Sequence, residues 1–157
     1  MRSPGLAFIF LFTDWLFAVI SWVVFFYFRK TVIEEVPFSV SESFYYGIAI
    51  IPILWLILYY VQGTYHHVKR LFRFKIFNLT ISATFIGSVF IFFALLLDDE
   101  ISGYQLYYKS IFLLMLTHFT LTLIPRLILV SWMVKRIHSG KSGFRTLLIG
   151  GSEKAVE

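Results

Sequence analysis

Four stretches of about twenty residues, each nearly free of charge, constrain this chain more than any other feature. Residues 5–28 carry only Asp14, 43–62 and 76–97 carry no charge, and 107–134 carry Lys109 at one end and Arg126 within. A helix rises about 1.5 Å per residue, so each stretch is long enough to cross a hydrocarbon core of about 30 Å. The composition agrees: 59% hydrophobic, 20% aromatic and 15% charged, against roughly 45–50% apolar and about 25% charged in soluble domains. One soluble core of this size could not hide so much apolar surface, which excludes a disordered or soluble globular protein. The predicted fold class is all-α and transmembrane, a four-helix membrane bundle. The first span reads as a retained anchor: its apolar run exceeds the roughly 7–15 residues of a signal peptide, and no small-residue cleavage site follows it.

Charge placement gives an orientation. Ten of the 14 Lys and Arg lie at the N-terminus, in the loop after the second span, or beyond the fourth. The other two loops hold six of the nine acidic residues and three basic ones. The side richer in Lys and Arg stays cytoplasmic, so the expected topology is N-in/C-in. The net charge of +5 is then a topology signal, and no nucleic-acid partner is expected. In the middle loop Lys69, Arg70, Arg73 and Lys75 form a basic group. Val68, Leu71 and Phe72 fall on the opposite helical face. That pattern predicts a short interfacial helix, its apolar side in the headgroups and its basic side toward anionic lipid.

Metal and thiol chemistry find little here. The chain has no Cys, which excludes disulfides, thiolate zinc sites and a cysteine nucleophile. His66 and His67 are adjacent and would point different ways from a helix, so no metal site is expected.

Asp14 and Arg126 are the charges the spans must bury, at a cost of about 2.5–3.5 kcal/mol each unless they pair or face a polar interior. Asp14 lies about nine residues in from the start of the first span, and Arg126 about eight before the end of the fourth. At about 1.5 Å per residue both sit some 12–13 Å from the same face. An intramembrane Asp14–Arg126 ion pair is therefore predicted; the alternative is a hydrated Asp14 and a snorkelling Arg126. Pro125 should kink the fourth helix and leave the Leu121 carbonyl without its partner. His118, Thr122 and Arg126 would line a polar edge around that kink. Thr80, Thr84 and Ser88, with Ala83 and Gly87, read as a face for close helix packing. The spans lack the paired broken segments of inverted-repeat transporters.

The last nineteen or so residues differ in character. A Ser-Gly-Lys-Ser-Gly linker from Ser139 leads into an apolar run beginning at Phe144, then a glycine turn and a helix-forming end. Gly150, Ser152 and Ala155 approximate the Gly-x-Gly-x-x-Gly/Ala turn of dinucleotide-binding folds, with Ser where a glycine would let the backbone approach a pyrophosphate. A complete βαβ unit takes about 30 residues or more. We therefore divide the chain into a transmembrane domain, 1–138, and a linker with the truncated start of a Rossmann-like α/β domain, 139–157. On this reading the chain is the front of a larger protein. Its loops carry no nucleophile, acid/base pair or metal-ligand cluster, so the catalytic residues expected within it are none.

The order of these features resembles the N-terminal part of the polyprenyl-phosphate hexose-1-phosphate transferases, the large monotopic phosphoglycosyl transferases of bacterial exopolysaccharide, capsule and O-antigen synthesis. The resemblance runs the length of the chain. It rests on Asp14, the Gly63-x-Tyr65 turn with its basic residues, Phe92-Phe93 with Leu97-Asp98-Asp99, Arg126, and Thr146-Leu-Leu-Ile-Gly-Gly-Ser. It implies a multi-pass protein of the bacterial inner membrane, anchoring an enzyme that moves a sugar 1-phosphate from a nucleotide sugar to undecaprenyl phosphate. In that family the chemistry belongs to a C-terminal module, expected to use Mg, that nothing here matches. The partners implied are the bilayer with its anionic lipid, undecaprenyl phosphate, a nucleotide sugar only through that module, and other copies of the chain. A membrane-bound nucleotide-sugar dehydratase or epimerase would share the same front end, and a non-enzymatic membrane scaffold is the third reading.

Overall fold

The computed structural model describes residues 4–66, 68, 71–98 and 104–139. They form four long helices: α1 (Pro4–Phe28), α2 (Glu42–Val61), α3 (Arg73–Asp98) and α4 (Tyr104–His138). No strand occurs among the described residues. All four helices are long and apolar enough to cross a membrane. The Rossmann-like start, with Gly150, Ser152 and Ala155, lies outside the described residues, as do Lys69 and Arg70.

Two helices outrun their apolar stretches. Residue 73 rather than 76 opens α3, and α4 has 35 residues where the apolar run suggested fewer. Backbone hydrogen bonds still favour helix at the membrane boundary, and terminal Lys and Arg can extend their stems along apolar surface with the charge in water. Helix α2 runs unbroken through Pro52, and α4 through Pro125.

The helices pack as an antiparallel ring, α1 on α2, α2 on α3, α3 on α4 and α4 back on α1. The inward faces follow a four-residue repeat. In α4 the buried residues Ser110, Leu114, His118, Thr122, Arg126 and Val130 follow it, with Met133 beside them; in α3 the series Ile76, Thr80, Thr84 and Ser88 is joined by Ala83 and Ile91. Rows at i±4 are the ridges by which helices interlock. Most of the large apolar side chains outside these rows, such as Phe8, Tyr45, Phe90 and Phe112, are exposed.

Two apolar clusters fill the ring. One gathers Trp22, Phe25, Phe26, Trp55, Tyr59 and Leu114. Two glycines make room for its indoles: a Cβ on Gly47 would overlap Trp22, and one on Gly87 would overlap Trp55. Trp22 Nε1 also donates to the Phe44 carbonyl at 3.2 Å.

The other cluster lies where α1 begins and α4 ends, and joins Phe10, Val68, Leu71, Ile76, Val130 and Met133. This corrects the expected placement of Val68 and Leu71 in the headgroups. Val68 and Leu71 are buried in the bundle and only Phe72 is exposed. After α2 the chain turns at Gly63, which has φ +76°, and folds back over the end of the bundle. Covering Phe10 and Val130 removes the two aliphatic side chains from both water and headgroups. Arg73 and Lys75 stand in the first turn of α3.

At the opposite end α1 widens into a π-helical turn, Arg29–Ile33. The Glu34 N–H donates to the Arg29 carbonyl at 2.9 Å. The Glu34 carboxylate meets both cations of this turn, Arg29 Nε at 2.9 Å and Lys30 Nζ at 2.6 Å.

Candidate functional site

Asp14 of α1 and Arg126 of α4 meet inside the bundle. Nε donates to Oδ1 and Nη2 to Oδ2, each at 2.7 Å. Both side chains are buried, with 1% and 0% of their surface exposed, so neither a hydrated Asp14 nor a snorkelling Arg126 describes the site. The fork of a guanidinium matches the two oxygens of a carboxylate, and a charge-assisted pair of this kind is both short and directional.

Three further side chains complete the cluster. Arg126 Nη1 donates to Thr80 Oγ1 of α3 at 3.0 Å. Tyr65, from the turn after α2, donates its hydroxyl to Asp14 Oδ2 at 2.8 Å. The guanidinium carbon lies 3.7 Å from the centre of the Tyr59 ring of α2, a cation–π contact between two fully buried side chains. One arginine thus engages all four helices. Its pairing removes most of the cost of burying the charges, because each oxygen and nitrogen that would lose water gains a partner.

His118 lies one layer further in. Its Nε2 is 2.8 Å from the Tyr59 hydroxyl and 3.4 Å from Thr122 Oγ1. The Trp55 indole stacks on the imidazole with centroids 3.6 Å apart and planes 11° from parallel. His118, Thr122 and Arg126 do share one stripe, but they face the packed interior. His118 Nδ1 and the hydroxyl oxygens of Thr84 and Ser88 have no hydrogen-bond partner.

Sequence reasoning about charge did not reach Trp55, Tyr59 or Thr80 as members of this cluster. Trp55 and Tyr59 are four apart in a span without charge, the spacing that puts two side chains on one face. A phenol or indole inside an apolar span must find a polar partner, and that was the available signal.

Asp14 accepts three hydrogen bonds, and Arg126 donates three. Among the described residues, no three His, Asp or Glu side chains gather as a metal site would require. Comparison with protein-family models, with curated proteins and with solved structures finds no match.

Proposed function

We propose that this chain is the membrane-anchoring region of a bacterial enzyme that transfers a sugar 1-phosphate from a nucleotide sugar to undecaprenyl phosphate, with N-in/C-in topology. One observation carries most of the reading. Asp14, Tyr65 and Arg126, three of the scattered residues on which the resemblance rests, converge in one hydrogen-bonded cluster. Residues so far apart in sequence would meet in this way if they defined a single anchoring module. The module contributes a rigid platform, and sugar-phosphate transfer belongs to a further domain carried by the same protein.

The test is to express the open reading frame that contains this chain and supply its membranes with radiolabelled nucleotide sugars, undecaprenyl phosphate and Mg. A labelled lipid diphosphate sugar, formed with release of the nucleoside monophosphate, is the expected product. A nicotinamide-dependent change in the nucleotide sugar, with no lipid product, would instead identify a membrane-bound dehydratase or epimerase.

A further inference from the structure

Between the end of α1 and the start of α2 the bundle opens a cavity of about 660 Å³, within the range of small-molecule sites. Trp22 and Phe26 form its apolar wall, and Arg29, Lys30, Glu42 and Ser43 its polar rim. Ile50 lines this cavity and also a second, apolar hollow of about 450 Å³ bounded by Ile53, Ile57 and Phe90. Helices α2 and α3 pack on each other more sparsely than α1 on α2 or α3 on α4, and the side chains of this hollow are well exposed. A largely apolar recess with a charged rim thus adjoins, at Ile50, an apolar groove on the outer surface of α2 and α3. That is the shape of an amphiphile, with its headgroup at the boundary and a chain along the helices.

The charges at the rim narrow the headgroup. Arg29 and Lys30 both engage Glu34, and Glu42 is an exposed carboxylate in the first turn of α2. Among the described residues these two cations are balanced by Glu34 behind them and Glu42 at the rim, which leaves no net positive charge to attract a bare anion. A headgroup bearing both signs is matched at both ends: its phosphate by Arg29 and Lys30, its ammonium by Glu42. A primary ammonium carries three hydrogen-bond donors, which the Glu42 carboxylate and the Ser43 hydroxyl can accept; a quaternary ammonium offers none. We infer that this recess binds a phospholipid with a phosphoethanolamine headgroup, one acyl chain lying in the groove along Ile50, Ile53, Ile57 and Phe90. This site is independent of sugar-phosphate transfer.

The experiment uses the full chain in phosphatidylcholine nanodiscs containing a trace of phosphatidylethanolamine with a photoreactive acyl chain, and maps the labelled peptides by mass spectrometry. Labelling is expected to concentrate between residues 50 and 57 and at Phe90. Unlabelled phosphatidylethanolamine should compete better than added phosphatidylcholine or phosphatidylglycerol. Glu42→Gln should lower labelling roughly two- to fivefold, the effect of losing one partly exposed ion pair. Ile50→Trp, which fills the junction of the two hollows, should lower it further, while Glu35→Gln at an exposed neighbouring carboxylate leaves it unchanged. Label spread evenly over the outer faces of α1 and α4 would overturn the site. Phosphatidylglycerol competing best would make it an anion site, and phosphatidylcholine competing equally would reduce it to an apolar groove; either result sinks the assignment. These competitions use the unaltered chain, so the outcome does not depend on how the variants fold.

Discussion

Arg126 holds Asp14 by two parallel hydrogen bonds of equal length, 2.7 Å each. Removing one partner strands the other charge in the bundle. Asp14→Leu and Arg126→Leu should each destabilise the protein by about 3–5 kcal/mol, whereas the double variant, with no orphan charge, should cost less than either. Reversible unfolding in mixed micelles measures this. The exchanged pair, Asp14→Arg with Arg126→Asp, should recover only part of the loss, because Thr80 and Tyr59 are placed for a guanidinium on α4. A double variant as unstable as the sum of the singles would count against a coupled pair.

Tyr59 does two jobs with two parts of one side chain. Tyr59→Phe keeps the ring under Arg126 and loses the hydroxyl at His118, a change of about 1–2 kcal/mol. Tyr59→Leu also loses the cation–π contact and should cost about 1 kcal/mol more. The same unfolding assay ranks the two, and equal losses would mean that the ring contact contributes nothing.

The glycine positions are steric requirements. An added Cβ at Gly87 overlaps the Trp55 indole, so Gly87→Ala should destabilise by about 1–3 kcal/mol through overpacking. Gly5, with open space around it, serves as the control, and Gly5→Ala should be neutral or slightly stabilising in the same unfolding assay.

Tyr65 links stability to pH. Burial first, and then the neighbouring Asp14 carboxylate, raise its pKa well above the usual value near 10. The folded chain therefore keeps a proton that the unfolded chain releases above pH 10. With fewer protons bound in the unfolded state, stability falls as pH rises past that point, by at most about 1.4 kcal/mol per pH unit from this group. Below about pH 9 it contributes no slope. Melts between pH 7 and 11 should show the decline, and Tyr65→Phe should make it shallower.

Orientation can be read with single cysteines, since the chain has none of its own. In intact cells with a permeabilised outer layer, Glu35→Cys should react with an impermeant maleimide, whereas Lys75→Cys should react only after lysis. The opposite pattern would invert the topology.

Much of the architecture was legible because its signals are strong. An apolar run of about twenty residues has few ways to satisfy its backbone except as a helix, so the four helices follow from charge-free length. Asp14 and Arg126 stood out because each was a charge in such a run, and equal depth suggested that they could meet. The loop around Val68 and Leu71 was harder. Alternating apolar and basic residues suit a membrane surface as well as a protein surface, and only the position of Phe10 and Val130 decides between them. The neutral polar partners carry no such signal: Thr80 looks like any small residue of a packing face until a guanidinium is placed beside it. Likewise, no local pattern announces the recess beside Trp22, whose lining residues on α1, α2 and α3 are distant in sequence and meet only in the fold.

The separation of 112 residues between Asp14 and Arg126 also has a consequence in time. Synthesis proceeds at roughly 5–20 residues per second, so α1 exists for roughly 6–22 seconds before its guanidinium partner has been made. Tyr65, which arrives after 51 residues, can shelter the carboxylate but cannot neutralise it. The completed clamp therefore requires α4, and a chain interrupted before Arg126 keeps an unpaired carboxylate among its apolar helices.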